Sequence, residues 1–207
     1  MTYPKAVVFD LLTALLDSWK VWDAAAGNST DGRRWRARYL ELTYGCGIYR
    51  PYEDLVTQAA ADTGLLPDAP AALLENWDNL KPWPEAPDIL AKLRARGILI
   101  GVITNCSIEL GRRAADRCGV PFDAVLTSEE AGYYKPYPKA YAAILSALGV
   151  DASDTLFVAG SSADVPGATE AGMQVVWHNR VKLAARLGSA PPLHEGLTLD
   201  EALQGFL

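Results

Sequence analysis

Ala6-Val7-Val8-Phe9-Asp10 is the stretch on which the fold turns. Consecutive apolar residues without polar alternation describe a strand buried on both faces, as in the interior of a parallel sheet. The run stops at an acid. Leu99-Ile100-Gly101-Val102-Ile103 repeats the pattern and ends at Thr104-Asn105; Thr155-Leu156-Phe157-Val158 repeats it and ends at Ala159-Gly160-Ser161. Gln174–Trp177 and Ala124–Leu126 are shorter versions. Helical periodicity fills the gaps, over Ala86–Arg96, Ile108–Cys118, Pro138–Leu148 and Asp164–Ala171, each followed by a glycine (Gly97, Gly119, Gly149, Gly172) as a C-terminal stop. Strands alternating with helices predict βαβ units, hence an α/β fold with a Rossmann-like, three-layer parallel-sheet core.

The alternation breaks once. From Asp17 to about Pro82 only helical periodicity is present, over Ser18–Ala26, Asp31–Tyr44, Tyr52–Thr63 and Ala69–Leu80. The expected organisation is therefore a core of residues 1–16 and 82–207 with a helical insert, residues 17–81, after the first strand. Of the tryptophans in or beside the insert (Trp19, Trp22, Trp35, Trp77), most are expected in its core.

Composition narrows the function. The 207 residues are 50% hydrophobic and 21% charged, as in an ordinary globular protein. A net charge of −6 repels phosphate backbones, so nucleic acid is not an expected partner. No run approaches the ~20 apolar residues of a membrane span, and no basic start precedes an early apolar run. Cys46, Cys106 and Cys118 are odd in number and lack metal-ligand spacing, which fits a reducing cytoplasm and no zinc site.

Ligands of open α/β sheets sit at the carboxyl ends of the strands. The residues there are Asp10, Thr104 with Asn105, Lys135 in the Gly132–Pro138 loop, and Asp164. Singly, each has a plain role: a helix cap, a solvated lysine, a first-turn acid. Together they offer a carboxylate nucleophile, a cation to keep it ionised, and a second acid.

Four segments in order, Val8-Phe9-Asp10, Ile103-Thr104-Asn105, Tyr134-Lys135-Pro136 and Val158 to Asp164, make the chain resemble the haloacid dehalogenase superfamily over essentially its whole length. The resemblance implies that the insert is a cap over the site, Asp10 the nucleophile, Lys135 its stabiliser, and Thr104 and Asn105 the binders of a substrate anion. Most members are magnesium phosphatases with a second acid two residues after the nucleophile and another four before the last acid. Leu12 and Gly160 stand there. Neither binds magnesium, which takes oxygen ligands, and phosphoryl transfer depends on that charge neutralisation.

The branch without these acids is the L-2-haloacid dehalogenases, which displace halide from carbon without a metal. Trp35–Tyr44, Lys135–Tyr141 and Trp177-His178-Asn179-Arg180 resemble segments of that branch. Counted without gaps, its anion-receiving cap arginine falls on Cys46, with Arg36, Arg38 and Arg50 as substitutes. The expectation is an (S)-2-haloacid dehalogenase-like hydrolase whose aspartate attacks a substrate carbon and displaces halide or another leaving group from a small carboxylic acid, without cofactor or metal. Asp10, Lys135 and Asp164 are its catalytic residues, and Thr104, Asn105, Leu12, Cys46, Tyr141 and Ser161 its substrate contacts. Two alternatives stand beside it: a phosphatase with a reduced magnesium site, and a non-catalytic binding protein on the same fold. Related dehalogenases are often homodimers.

Overall fold

The computed structural model describes residues 3–207. Six parallel strands form one sheet: β1 (Ala6–Asp10), β2 (Leu99–Thr104), β3 (Ala124–Thr127), β4 (Thr155–Ala159), β5 (Gln174–His178) and β6 (His194–Gly196), in the order β3-β2-β1-β4-β5-β6. β1 lies at the centre, with Asp10 opposite Ile103 of β2 and Phe9 opposite Val158 of β4. The strand order reverses beside β1, so the crevice that such a sheet opens at its carboxyl edge is at Asp10.

Alternation along the strands builds the layers. Val7 and Phe9 face one side, where they join Ile89, Leu90 and Leu93 of α5 (Ala86–Ala95), Leu110 of α6 (Ile108–Asp116) and the buried residues of the insert. Val8, Ile103 and Phe157 face the other, against Tyr141 and Ile144 of α8 (Pro138–Leu148) and Val165 and Ala168 of α9 (Asp164–Glu170). The short helices α7 (Ser128–Ala131) and α10 (Leu199–Ala202) complete the core.

The chain leaves the core at Leu16 and returns at Pro82, where the two residues form an antiparallel bridge beside an Asp17 N–H···O=C Lys81 bond of 2.8 Å. Between them lie α1 (Trp19–Ala25), α2 (Ser29–Cys46), α3 (Tyr52–Asp62) and α4 (Ala69–Glu75). The predicted last helix stops early, at Glu75, and a single 3-10 turn, Trp77–Asn79, follows it. Asn76 explains the break, because its side-chain amide donates back to the Ala72 carbonyl (2.8 Å).

Edge-to-face contacts join Trp22 to Trp35 (centroids 4.6 Å apart), Tyr39 to Tyr52 (5.3 Å) and Tyr52 to Trp77 (6.0 Å). Trp22, Trp35 and Trp77 are thus core residues of the insert, whereas Trp19 is only partly buried. Hydrogen bonds seat the insert on the core: Trp77 Nε1 donates to Leu110 O of α6 (2.9 Å), Tyr39 Oη to Asn105 O (2.7 Å) and Tyr134 Oη to Arg50 O (2.6 Å).

Trp77→Phe tests this seating. The ring packing persists, but the buried Leu110 carbonyl, inside α6, loses the bond from the insert and keeps only its helical partner. A loss of about 0.5–1.5 kcal/mol in urea-unfolding free energy is expected, the net worth of one hydrogen bond.

Candidate active site

Asp10 is both a cap and a site residue. It ends β1 and opens a single π-type turn, Leu11–Leu15, whose free N–H groups it satisfies: Oδ2 accepts from Thr13 N (2.9 Å), Ala14 N (3.3 Å) and, at short range, Thr13 Oγ1. Oδ1 accepts one bond, from Lys135 Nζ at 2.6 Å. The two oxygens are therefore unequal. Oδ2 is saturated, and Oδ1 keeps a free lone pair.

Lys135 Nζ also donates to Asp164 Oδ2 at 3.1 Å, so one ammonium joins the two carboxylates, and all three groups are buried. The loop that carries the lysine is clamped by Asn105, whose Oδ1 accepts from Lys135 N (2.8 Å) and Ser128 Oγ (2.9 Å) and whose Nδ2 donates to Lys135 O (3.1 Å). Asp164 accepts from Tyr141 Oη on Oδ1 (2.9 Å) and from Ser161 Oγ on Oδ2 (3.1 Å).

Environment separates the two acids. Burial would raise the Asp10 carboxyl, but the Lys135 charge and the bonds from Lys135 and Thr13 hold it below the ordinary aspartate value. Burial dominates at Asp164 and, with the Asp10 charge, pushes it up despite Lys135. Burial would lower Lys135, yet the two carboxylates raise it well above an ordinary lysine. Two acids driven apart in this way suit different roles: an ionised nucleophile and a proton acceptor.

The cleft above Asp10 is small, with a cavity volume of about 40 Å³, room for a ligand of a few heavy atoms. Asp10, Leu12, Thr104, Asn105, Lys135, Ser161 and Asp164 all line it. Two expected contacts do not. Tyr141 is fully buried behind Asp164 and orients that acid. Cys46 ends α2, half-buried against the apolar core. The cation of the insert that lines the cleft, besides Lys135 of the core, is Arg36. It is 4% exposed, its guanidinium lies 3.9 Å from the Trp19 ring centroid, and its Nη1 has no hydrogen-bond partner. Arg38 is spent on Asp62 and Glu41, and Arg50 lies outside the lining. Burial lowers the Arg36 pKa against the pull of the Asp10 charge, but an arginine stays protonated.

The ungapped count falls on Cys46, outside the cleft, whereas helix periodicity points to Arg36, which lines it. Trp35, Arg36, Tyr39 and Thr43 lie on the buried stripe of α2, where an arginine without an acid partner stands out as a charge left unpaired. Tyr44 is a further lining residue the sequence reading did not single out. Burial, with the nearby Asp164 charge, pushes its phenol up to about 12.

Magnesium does not fit. A Cβ on Gly160 would lie 2.7 Å from Asp10 Oδ2, so no acid is accommodated there, Leu12 offers no oxygen, and Lys135 occupies the space between the two carboxylates. Among the described residues no cluster of three His, Cys, Asp or Glu side chains is arranged to hold a metal.

Removing the lysine should expose what it balances. Lys135→Met leaves two buried carboxylates unpaired, with an expected loss of about 3–5 kcal/mol of stability at pH 7. Their folded-state pKa values would then lie above the unfolded ones, so the deficit against wild type should shrink as pH falls and both acids protonate. Urea titrations of both proteins across the acid range measure it.

The geometry has counterparts among known proteins. Residues 4–172 match the family described as haloacid dehalogenase-like hydrolase. The chain is 33% identical over 204 residues to haloacetate dehalogenase H-2 of Moraxella sp. (strain B), covering 90% of this chain and 91% of that protein. It is 29% identical over 208 residues to an (S)-2-haloacid dehalogenase of Pseudomonas sp. (strain YL), covering 92% and 90%. A crystal structure of an L-2-haloacid dehalogenase superposes with a TM-score of 0.87 at 28% identity over 99% of both chains. The Asp10 site therefore sits in a protein of known lineage, and the chain belongs to the haloacid dehalogenase-like hydrolases.

Proposed function

We propose that the protein hydrolyses the carbon–halogen bond of short 2-haloacids without a metal, with residues 17–81 serving as a cap over Asp10. One observation carries this reading: the free lone pair of Asp10 Oδ1 shares a small cleft with Arg36, a buried cation that lacks an acid partner. A monoanionic substrate supplies the missing charge.

In the first step Asp10 Oδ1 attacks the substrate carbon, the carbon–halogen bond breaks, and halide leaves with the electron pair. Arg36, with Thr104 and the remaining amide N–H of Asn105, holds the substrate carboxylate. Leu12, Trp19, Tyr39 and Leu40 surround the carbon chain. In the second step Asp164 takes a proton from water beside Ser161 and Tyr44, and the water oxygen attacks Asp10 Cγ. Oδ2 then carries the negative charge of the tetrahedral intermediate, facing Thr13 N, Ala14 N and Thr13 Oγ1. Collapse breaks the Cγ–Oδ1 bond, the protonated Asp164 returns its proton to the departing alkoxide oxygen to release the hydroxy acid, and the water-derived hydroxyl on Cγ loses its proton to solvent, restoring the carboxylate.

A phosphatase is disfavoured by the closed space at Gly160. A silent binding protein is disfavoured by the opposed ionisation of Asp10 and Asp164, which binding alone does not require. The relatives named above support the carbon–halogen assignment through what they act on. Free Cys46, Cys106 and Cys118 fit the cytoplasm, and no helix among the described residues is long and apolar enough to cross a membrane.

Halide release from chloroacetate and 2-chloropropionate is expected, unchanged by EDTA. Inactivation by EDTA with recovery in magnesium, or hydrolysis of p-nitrophenyl phosphate in its place, contradicts the proposal. Arg36→Met should lower kcat/KM by roughly 10- to 100-fold, the worth of a charge-assisted hydrogen bond. Cys46→Arg should leave it unchanged.

The pH profile of kcat follows from the same groups. Activity requires ionised Asp164, whose raised pKa puts the acid limb above the ordinary aspartate value of 3.8. Lys135 is raised above 10.5, so its deprotonation should not limit the rate below that pH. An acid limb at or below the ordinary aspartate value would remove Asp164 from the base role.

A further inference from the structure

The turn after Asp10 is too short to satisfy its own carbonyls. Its one internal closure is Leu16 N–H to Leu11 O (3.1 Å). The other four carbonyls are met from outside. Ser18 Oγ donates to Leu12 O, Trp83 Nε1 to Thr13 O (3.0 Å), His178 Nδ1 to Ala14 O (2.8 Å) and Trp83 N to Leu15 O (2.9 Å). Trp83 thus grips the turn twice, and its indole N–H does so at the peptide that carries the Ala14 N–H.

That peptide is planar, so its C=O and N–H point in opposite directions. Pulling Thr13 O toward Trp83 Nε1 aims Ala14 N–H at Asp10 Oδ2. Trp83 is itself held in place. The His178 ring meets it edge-on at 6.0 Å, and the Arg180 guanidinium covers its face at 4.7 Å, anchored to Glu85 Oε1 at 2.7 Å. A carbonyl only accepts, so His178 carries its proton on Nδ1, and burial keeps the ring neutral by lowering its pKa.

We propose that Trp83, braced by His178, is a positioning residue that holds Ala14 N–H on Asp10 Oδ2 and thereby accelerates hydrolysis of the ester but not its formation. This rests on the two-step reading above. In ester formation Oδ2 loses negative charge as carboxylate becomes ester, so a donor there lends no help to the transition state. In ester hydrolysis Oδ2 gains a full negative charge, and each donor aimed at it stabilises the transition state. Loss of the Trp83 N–H therefore slows ester hydrolysis without slowing ester formation.

Trp83→Phe keeps a ring and removes the donor. With 2-chloropropionate, kcat is expected to fall about 10- to 100-fold, KM to fall in parallel, and kcat/KM, which reports ester formation, to stay close to wild type. Acid-quenched enzyme should show the Asp10 ester accumulating by intact-protein mass spectrometry. Incorporation of benzothienylalanine at position 83, which has the indole shape without its N–H, should give the same split and serves if the phenylalanine variant misfolds. Equal losses in kcat and kcat/KM, no ester accumulation, or unchanged kinetics in a folded variant overturns the role of Trp83. Absence of both ester and halide release in the wild-type enzyme overturns the two-step reading and, with it, this proposal.

Discussion

One ammonium between two carboxylates organises the protein. Lys135 Nζ lies 2.6 Å from Asp10 and 3.1 Å from Asp164, and none of the three groups reaches solvent appreciably. Buried charges are tolerated only when paired and saturated with hydrogen bonds. The surroundings meet that demand. Asn105 fixes the lysine backbone, Tyr141 and Ser161 occupy Asp164, and the turn Leu11–Leu15 closes on Asp10. These partners come from the segments after β1, β2 and β4 and from α8, so the sheet topology brings them together at one edge.

Arg36 makes the charge count informative. Together the four groups are neutral: Lys135 and Arg36 against Asp10 and Asp164. A bound 2-haloacid adds one negative charge. Ester formation neutralises Asp10 as the halide departs, and the site returns to neutrality with the substrate carboxylate still held. The covalent intermediate is thus the state whose charges balance in a low-dielectric cleft, while the substrate complex carries an excess that halide loss relieves. The same reasoning explains why Gly160 matters. A magnesium site would need another acid there, and the backbone of the nucleophile turn already fills that space.

Much of this was legible in the residues. Apolar runs that stop at Asp10, Thr104 and Ala159 mark buried strands, and the glycines after the helices mark their ends. β6 escaped because His194-Glu195-Gly196 has no apolar run; it is a short edge strand held by pairing with β5. The turn Leu11–Leu15 escaped because five mostly apolar residues look the same in a helix or a buried turn, and only Asp10 at its head, with partners distant in sequence, selects the turn. Tyr141 and Asn105 are correctly placed near the site, but which way a side chain is spent depends on tertiary partners. Arg36 shows the limit of counting along a chain. Position relative to Asp10 pointed to Cys46, whereas the buried stripe of α2 points to Arg36.

The covalent role of Asp10 is the claim on which the chemistry rests. A single turnover of 2-chloropropionate with enzyme in excess, run in ¹⁸O-enriched water, tests it directly. Attack of water on Asp10 Cγ places the label in the Asp10 carboxylate, found in the peptide that contains it, and the hydroxy acid from that turnover carries none. Label in the hydroxy acid, with an unlabelled Asp10 peptide, would mean that water attacks the substrate carbon directly and that Asp10 is not the nucleophile.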